Sequence, residues 1–584
     1  MAKEEEEKPD DRQGFAQQLR IAYNSLEDKR KFYVTVLTPL IIIGLIVFSL
    51  PIVLNILLPV KLNLNPITFV VGGVVPISIG ILYPYIEWKN KETDIDSKMH
   101  FFITHLRVLS ISDLSLQDII KMIGGKKVYG SLGEEFKKIS VLTDKWRMPT
   151  SKAFRFVSER TPSKILTDFL DRFSQSLDSG VEHREFVETE QDAVLQEYKT
   201  MYESSNENIV ILNEVYVSLL IAIIFVMSMG IVLPIIMGTE NMNMFIYMSS
   251  FMLIVAEGLL LYLLKAMIPA DDIWHQTGEK GEVEKKINRF FKISISGCIF
   301  TVSIIYFSYF VLEIGFIRSL PIEIIVAVAV TPLFAVGGVT FIEEQKINRK
   351  ESSYLGFLPA LGSISAMRGG KINDSVYYLS KKKYGVLSRH IRNLYRRLRT
   401  RIDDDAAWEW FGIDTGSNYV QRGSEMFREA TFAAGNPRSV SQMISENLRK
   451  IRDLRIKKLT IVNTSIALFA GITFGISFAI YVSLIIGEHL NGIVRDMGNP
   501  FANTEGMGGL EMGQLLHSIP PSMYYGNFLI IFAVLVIHCL MLSLTLKVIR
   551  GSHKYLVFLY FVPFVWIVAI TSVVVQIFIG GIIT

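Results

Sequence analysis

Lys126-Lys127-Val128-Tyr129-Gly130-Ser131-Leu132 returns as Lys381-Lys382-Lys383-Tyr384-Gly385-Val386-Leu387, 255 residues further along a chain of 584. Working outward, Ala153-Phe154-Arg155-Phe156-Val157 meets Ala407-Trp408-Glu409-Trp410-Phe411, and Thr161-Pro162-Ser163 meets Thr415-Gly416-Ser417. Phe173 meets Phe427, and Ser179-Gly180 meets Ala434-Gly435, with the offset moving by only one residue. An offset held this steadily reads as an internal duplication of one helical domain.

Each copy sits in a polar block walled by apolar stretches long enough to cross a bilayer. The blocks are 87–208 and 343–458. Half of the residues are hydrophobic, a fifth are charged and mean hydropathy is +0.35, as expected when membrane spans alternate with water-facing domains. The order reads as a polar tail over 1–31, a membrane hairpin over 32–86, the first block, and a second hairpin over 209–268. A charged linker over 269–292, a third hairpin over 293–342 and the second block come next. A region over 459–584 with an external loop at 487–523 completes nine expected spans, Ile322–Ile342 among them. The first apolar stretch is followed at once by another, so it reads as half of a hairpin rather than a cleavable signal. The fold class is an all-α, polytopic membrane protein with two tandem helical-bundle domains.

Basic residues crowd one set of loops. Arg30, Lys31, Lys89, Lys91, Lys285, Lys286, Arg289, Lys346, Arg349, Lys350 and Lys547 share a side, whereas the opposite loops hold Lys61, Arg318 and Arg495. Cationic side chains resist translocation, which puts the N-terminus and both blocks in the cytoplasm and the C-terminus outside. Cap residues start several helices, among them Ser115, Thr150, Pro162-Ser163 and Asn436-Pro437. No breaker lies between Glu182 and Ile209, or between Pro437 and Leu459, so each block's last helix is expected to run straight into a span.

Arg389, Arg392, Arg396 and Arg399 recur at helical spacing and form one stripe, widened by Arg397 and Arg401. With Lys381, Lys382 and Lys383 they make a surface that suits either an acidic protein partner or anionic headgroups. The absence of an aromatic stacking platform argues against nucleic acid. Glu257 lies near the middle of an apolar span and is read as an interhelical hydrogen-bonding group or a step in an ion path. The first membrane-entering helix is acidic and the second basic, which suggests complementary packing of the repeats or of two subunits. Gly124-Gly125-Lys126 and Gly369-Gly370-Lys371 lack the remainder of a phosphate-cradling loop, and His100 and His105 do not share a helical face. Cys298 and Cys539 both lie in apolar spans. No catalytic residue, cofactor or metal site is expected.

Tandem helical blocks, each entered and left through the membrane and without catalytic motifs, resemble the inner-membrane platform family of type II secretion and type IV pilus systems. The chain is most similar to the archaeal branch. The resemblance implies a cell-membrane platform over a hexameric secretion ATPase, gathering pilin-like or archaellin subunits from the bilayer, with a homodimer expected. The basic surface would then face the ATPase. Two other readings stay open: a secondary transporter using Glu257, and a polytopic scaffold or sensor.

Overall fold

The computed structural model describes residues 66–583 apart from 238–241, 270, 272, 280, 401–402 and 502–520, together with short stretches between 19 and 45. The described residues form helices and no strand; one isolated β-bridge joins Trp274 and Ser417. The chain divides into two compact units, one of residues 1–110 and 114–198, the other of 111–113 and 199–584.

In the first unit, α1 (Pro66–Ser110) leads into α2 (Leu116–Gly124), α3 (Gly130–Asp144), α4 (Thr150–Ser158) and α5 (Lys164–Asp178). The long helix α6 (His183–Met237) begins here and belongs to the second unit from Lys199 onward. Two of the caps read from the sequence are present: Ser115 accepts from Asp118 N at 3.2 Å and Ser163 from Leu166 N at 3.1 Å, whereas Thr150 is the first residue of α4, behind Pro149, and does not cap it. The core is aromatic. Phe102 packs on Phe136 with ring centres 4.6 Å apart, Phe154 on Phe173 at 4.7 Å, and Phe173 on Phe186 at 4.5 Å. Such pairs add about 0.5–1.5 kcal/mol each beyond their buried area.

The second unit continues with α7 (Met242–Met267), α8 (Glu282–Phe310), a single turn α9 (Gly315–Arg318), α10 (Ile322–Val330) and α11 (Leu333–Met367). Next come α12 (Ile372–Ser380), α13 (Ser388–Thr400), α14 (Asp404–Thr415), α15 (Asn418–Phe432), α16 (Pro437–Phe501), α17 (Pro521–Arg550) and α18 (Val557–Ile583). The order long helix, two short helices with a 3-10 turn between them, two more short helices and a long exit helix thus occurs in both blocks. Gly130 and Gly385, paired in the opening motif, both have positive φ (49° and 55°), a conformation that glycine takes without Cβ strain.

Among the described residues six helices are long and apolar enough to cross a membrane: α6, α7, α8, α16, α17 and the helix ending in α18. A seventh span arises if α10 and α11 are counted together, although they bend by 42° at Thr331-Pro332. The span expected over Ile322–Ile342 is thus interrupted by a break within it. Pro332 has no N–H to donate and its ring clashes with the preceding turn, so the helix breaks there. The hairpin expected over 32–86 lies largely outside the described residues. Two further segments differ from expectation. The loop expected from Gly487 is helical as far as Phe501, because leaving the apolar zone at Glu488 exposes a helix to water without ending it. The linker over 269–292 has α8 for its last part, and Ile273, Trp274 and His275 in its earlier part are buried.

Candidate docking face and ionic joint of the second block

The sequence Ser388–Thr400 contains five arginines and no acid. It folds as α13 because Ile391, Leu394 and Leu398 recur at helical spacing and bury one stripe in the block. That choice turns Arg389, Arg392, Arg396 and Arg399 outward, all exposed, as the sequence predicts. Lys381, Lys382 and Lys383 are also exposed, on the turn just before α13. Lys381 lies over the Tyr377 ring at 4.1 Å and Lys382 over Tyr378 at 4.9 Å, which adds two half-exposed aromatic faces to the basic surface. Arg397 does not widen the stripe. It turns back to Asp414 at 2.7 Å and is half-buried. Arg401 lies outside the described residues. Burial and the neighbouring Lys350, Arg389 and Arg397 push His390 down to about 3, so charge on this face comes from groups that do not titrate near neutrality. Across 343–458 there are 23 basic and 13 acidic residues, against 18 and 21 across 87–208. The basic surplus belongs to the second block.

Beneath this face the turn Thr415-Gly416-Ser417 is stitched to its surroundings. Gly416, at φ 75°, ends α14 in the left-handed conformation. Lys350 of α11, buried and pushed down to about 8 by that burial, donates to Thr415 O at 2.8 Å. His275 N donates to Gly416 O at 3.1 Å, and Asn418 N to Ile273 O at 3.1 Å. Ser417 caps α15 through Val420 N at 3.2 Å and donates its hydroxyl to Glu351 Oε1 at 2.7 Å.

The other oxygen of Glu351 accepts from Arg455 of α16 at 3.0 Å. Arg455 also forks onto Asp271, with Nε to Oδ2 at 2.9 Å and Nη2 to Oδ1 at 2.5 Å, and stacks over Tyr419 at 3.9 Å. Tyr202 of α6 and Tyr419 of α15 donate to Asp271 at 3.2 and 3.3 Å. The side chains of Arg455, Asp271 and Glu351 are 6%, 7% and 4% exposed. A second buried carboxylate, Glu344, accepts from Trp274 Nε1 at 3.1 Å and His553 N at 2.9 Å, with Arg550 Nε at 3.6 Å. These joints tie the segment after α7, the ends of α14 and α17 and the body of α16 at Arg455 to α11. Buried charges in such a network hold one geometry, since loss of one partner leaves the rest uncompensated.

The sequence does not announce this joint. Asp271 reads as part of a charged linker and Arg455 as one cation in a basic run. The available signal is the matched pair Thr161-Pro162-Ser163 and Thr415-Gly416-Ser417, beside carboxylates 255 residues apart, Asp96 and Glu351. Glu257, by contrast, is where it was expected. It is 2% exposed, accepts from Tyr216 at 3.2 Å and contacts His538 Nδ1 across α6, α7 and α17. Between the acidic and basic exit helices, Lys457 reaches Glu203 at 2.8 Å.

The helical spans and the recurring helix order define a multi-pass cell-membrane protein of the secretion F-domain class, and the model for type II secretion system protein F matches residues 102–231. The chain is 31% identical over 546 residues to flagella accessory protein J of Methanocaldococcus jannaschii, covering 93% of this chain and 92% of that protein. It is 32% identical over 496 residues to flagella accessory protein J of Methanococcus voltae, covering 85% and 87%. The chain belongs to the flagella accessory protein J family. No solved structure matches it.

Proposed function

We propose that the chain is the membrane platform of an archaellum or other type IV pilus-like machine, a non-enzymatic part that couples a hexameric secretion ATPase to the extraction and assembly of pilin-like or archaellin subunits. The distribution of lysine and arginine supports cytoplasmic polar blocks, a cytoplasmic N-terminus and an external C-terminus. The observation that carries the reading is the second block's construction: an exposed arginine face at α13 and, in the same compact unit, a buried ionic joint fixing the block to helices that continue as spans. Force delivered to α13 would pass through α11 and α16 into the bilayer without a flexible linker to absorb it. Two copies would give the ATPase a symmetric pair of such faces.

Reversing Arg389, Arg392, Arg396 and Arg399 to Glu tests the face. The variant should stay in the membrane with its unfolding temperature unchanged and lose co-purification with the ATPase. The wild-type interaction should weaken steeply with salt, as exposed charge pairing does. Undiminished capture of the ATPase by the fourfold variant would remove α13 from the interface.

A further inference from the structure

Two carboxylates are buried among the spans, and the fold treats them differently. Glu257 finds both Tyr216 and the imidazole of His538 inside the bundle. Glu323, at the start of α10 and 1% exposed, accepts the hydroxyl of Ser572 from α18, and no ion pair to it occurs among the described residues. Close by, Tyr481 of α16 is 2% exposed, and its hydroxyl lies beside the Ser572 oxygen, which donates to Glu323 and keeps lone pairs that can accept. A buried carboxylate without a counter-charge is costly.

Glu323 and Tyr481 both line a cavity of about 1030 Å³ between α10, α16, α17 and α18. Leu484, Ile485 and Phe528 give it apolar walls, and Glu488 stands exposed among its lining residues. Arg318 also borders it but is engaged elsewhere, with Glu313 at 3.0 Å and Tyr309 O at 3.2 Å. The cavity therefore offers a carboxylate without a cation, a phenolic oxygen, a second carboxylate and apolar wall.

We propose that this cavity is a binding site for a primary ammonium group carried on an apolar body. An ammonium has three donors and no acceptor. One N–H would serve the Glu323 carboxylate and another the Tyr481 oxygen, while the apolar portion lies along Leu484, Ile485 and Phe528. Anions are disfavoured by Glu323 and Glu488, and a quaternary ammonium cannot donate to either buried group. The volume lies at the upper end of the roughly 300–1,000 Å³ typical of ligand pockets. The site does not depend on the filament reading.

The test titrates hexylammonium into the full chain in lipid nanodiscs, followed by calorimetry. Saturable binding is expected, with hexanol and hexyltrimethylammonium at least about tenfold weaker, since charge-assisted hydrogen bonds are worth about 1.5–3 kcal/mol each. Glu323→Gln and Tyr481→Phe should each weaken hexylammonium about tenfold. Glu488→Gln, a surface change that cannot compromise folding through burial, should weaken it about twofold. Competition by a lipid with an ethanolamine headgroup, or by an apolar peptide with a free amino terminus, identifies the source of the amine. Equal binding of hexanol, absence of saturation, unchanged binding in all three variants, or displacement by neither competitor would each overturn the assignment.

Discussion

Asp96 and Glu351 occupy matching places on α1 and α11, and each accepts a hydroxyl from a matching helix-capping serine, Ser163 or Ser417. From that shared beginning the two blocks diverge. Glu351 is joined to Arg455, and through it to Asp271, whereas the repeat offset places Met201 opposite Arg455. The first block relies mainly on stacked phenylalanines, with a smaller ion pair between buried Glu135 and Lys91 at 2.9 Å. Phe169, buried there, corresponds to Gly423, and the space left in the second block receives Tyr354, whose ring a Cβ at Gly423 would approach to 3.0 Å. Tyr354 in turn stands where the first block has Met99. The aromatic ring at this place thus comes from one helix in the first block and from its neighbour in the second. The comparison teaches that one helix order can hold its shape by aromatic packing or by buried charge. In the second block the buried charge also ties the block to the segment between spans.

The largest expected effect breaks that tie. Arg455→Met removes the guanidinium that Asp271 and Glu351 share, and removing one partner of a buried network costs about 3–5 kcal/mol. Thermal unfolding of the purified protein should fall accordingly, and limited proteolysis should open sites within 343–458 before any within 87–208. A protein as resistant as wild type would show that packing, rather than charge, holds the joint.

Next in size is the helix crossing that the joint accompanies. A Cβ at Gly362 on α11 would strike the Pro437 carbonyl oxygen and the Ser441 side chain on α16, so Gly362→Ala must push the two helices apart, at about 1–3 kcal/mol. The matching residue in the first block is Arg107, which spans the equivalent gap between α1 and α6 to Gln191 and, at 2.9 Å, to Glu188. Arg107→Ala should cost less, because Glu188 is mostly exposed and exposed ion pairs contribute about 0–1 kcal/mol. Unfolding of the two variants side by side checks the order, and a reversed order would contradict the close-crossing account.

Much of this is legible in the sequence. Ser115, Ser163 and Pro437 announce their helices by cap chemistry, and the stripe at Arg389, Arg392, Arg396 and Arg399 comes from spacing alone. The joint is not legible, because its members come from segments 184 and 104 residues apart and each alone has an ordinary surface reading. The same holds for His538 beside Glu257, 281 residues away. Pro332 is visible, but a proline in an apolar run is compatible with either a tolerated kink or a broken span.

The blocks should also answer pH differently. Burial lifts Asp96 to about 7, against the opposing hydrogen bond from Ser163. The folded first block then holds a proton that the unfolded chain releases near pH 4, so its stability falls as pH rises from about 4 to about 7, by on the order of 4 kcal/mol. Lys350 has the opposite sign. Its value is lowered by burial to about 8, so the unfolded chain binds the extra proton, and stability in the second block rises with pH between about 8 and 10.5. Hydrogen exchange followed block by block across this range separates the two. Asp96→Asn should flatten the first profile and leave the second intact. A first-block profile that stays sloped in Asp96→Asn would assign the titration to another group.

The finest test of the comparison removes the shared hydroxyl from each block. Ser163→Ala and Ser417→Ala both forfeit a helix cap, worth about 1 kcal/mol. Any cost beyond the cap depends on the other groups that hold the carboxylate. Glu351 keeps Arg455, so Ser417→Ala should cost little more and show no new pH dependence. Asp96 loses the hydroxyl that favours its charged form, so Ser163→Ala should raise its value further and extend the first block's pH-dependent loss above 7. Equal, pH-independent costs in the two variants would mean that Arg455 does not shield Glu351, and the contrast between a wired and an unwired carboxylate would fail at its smallest unit.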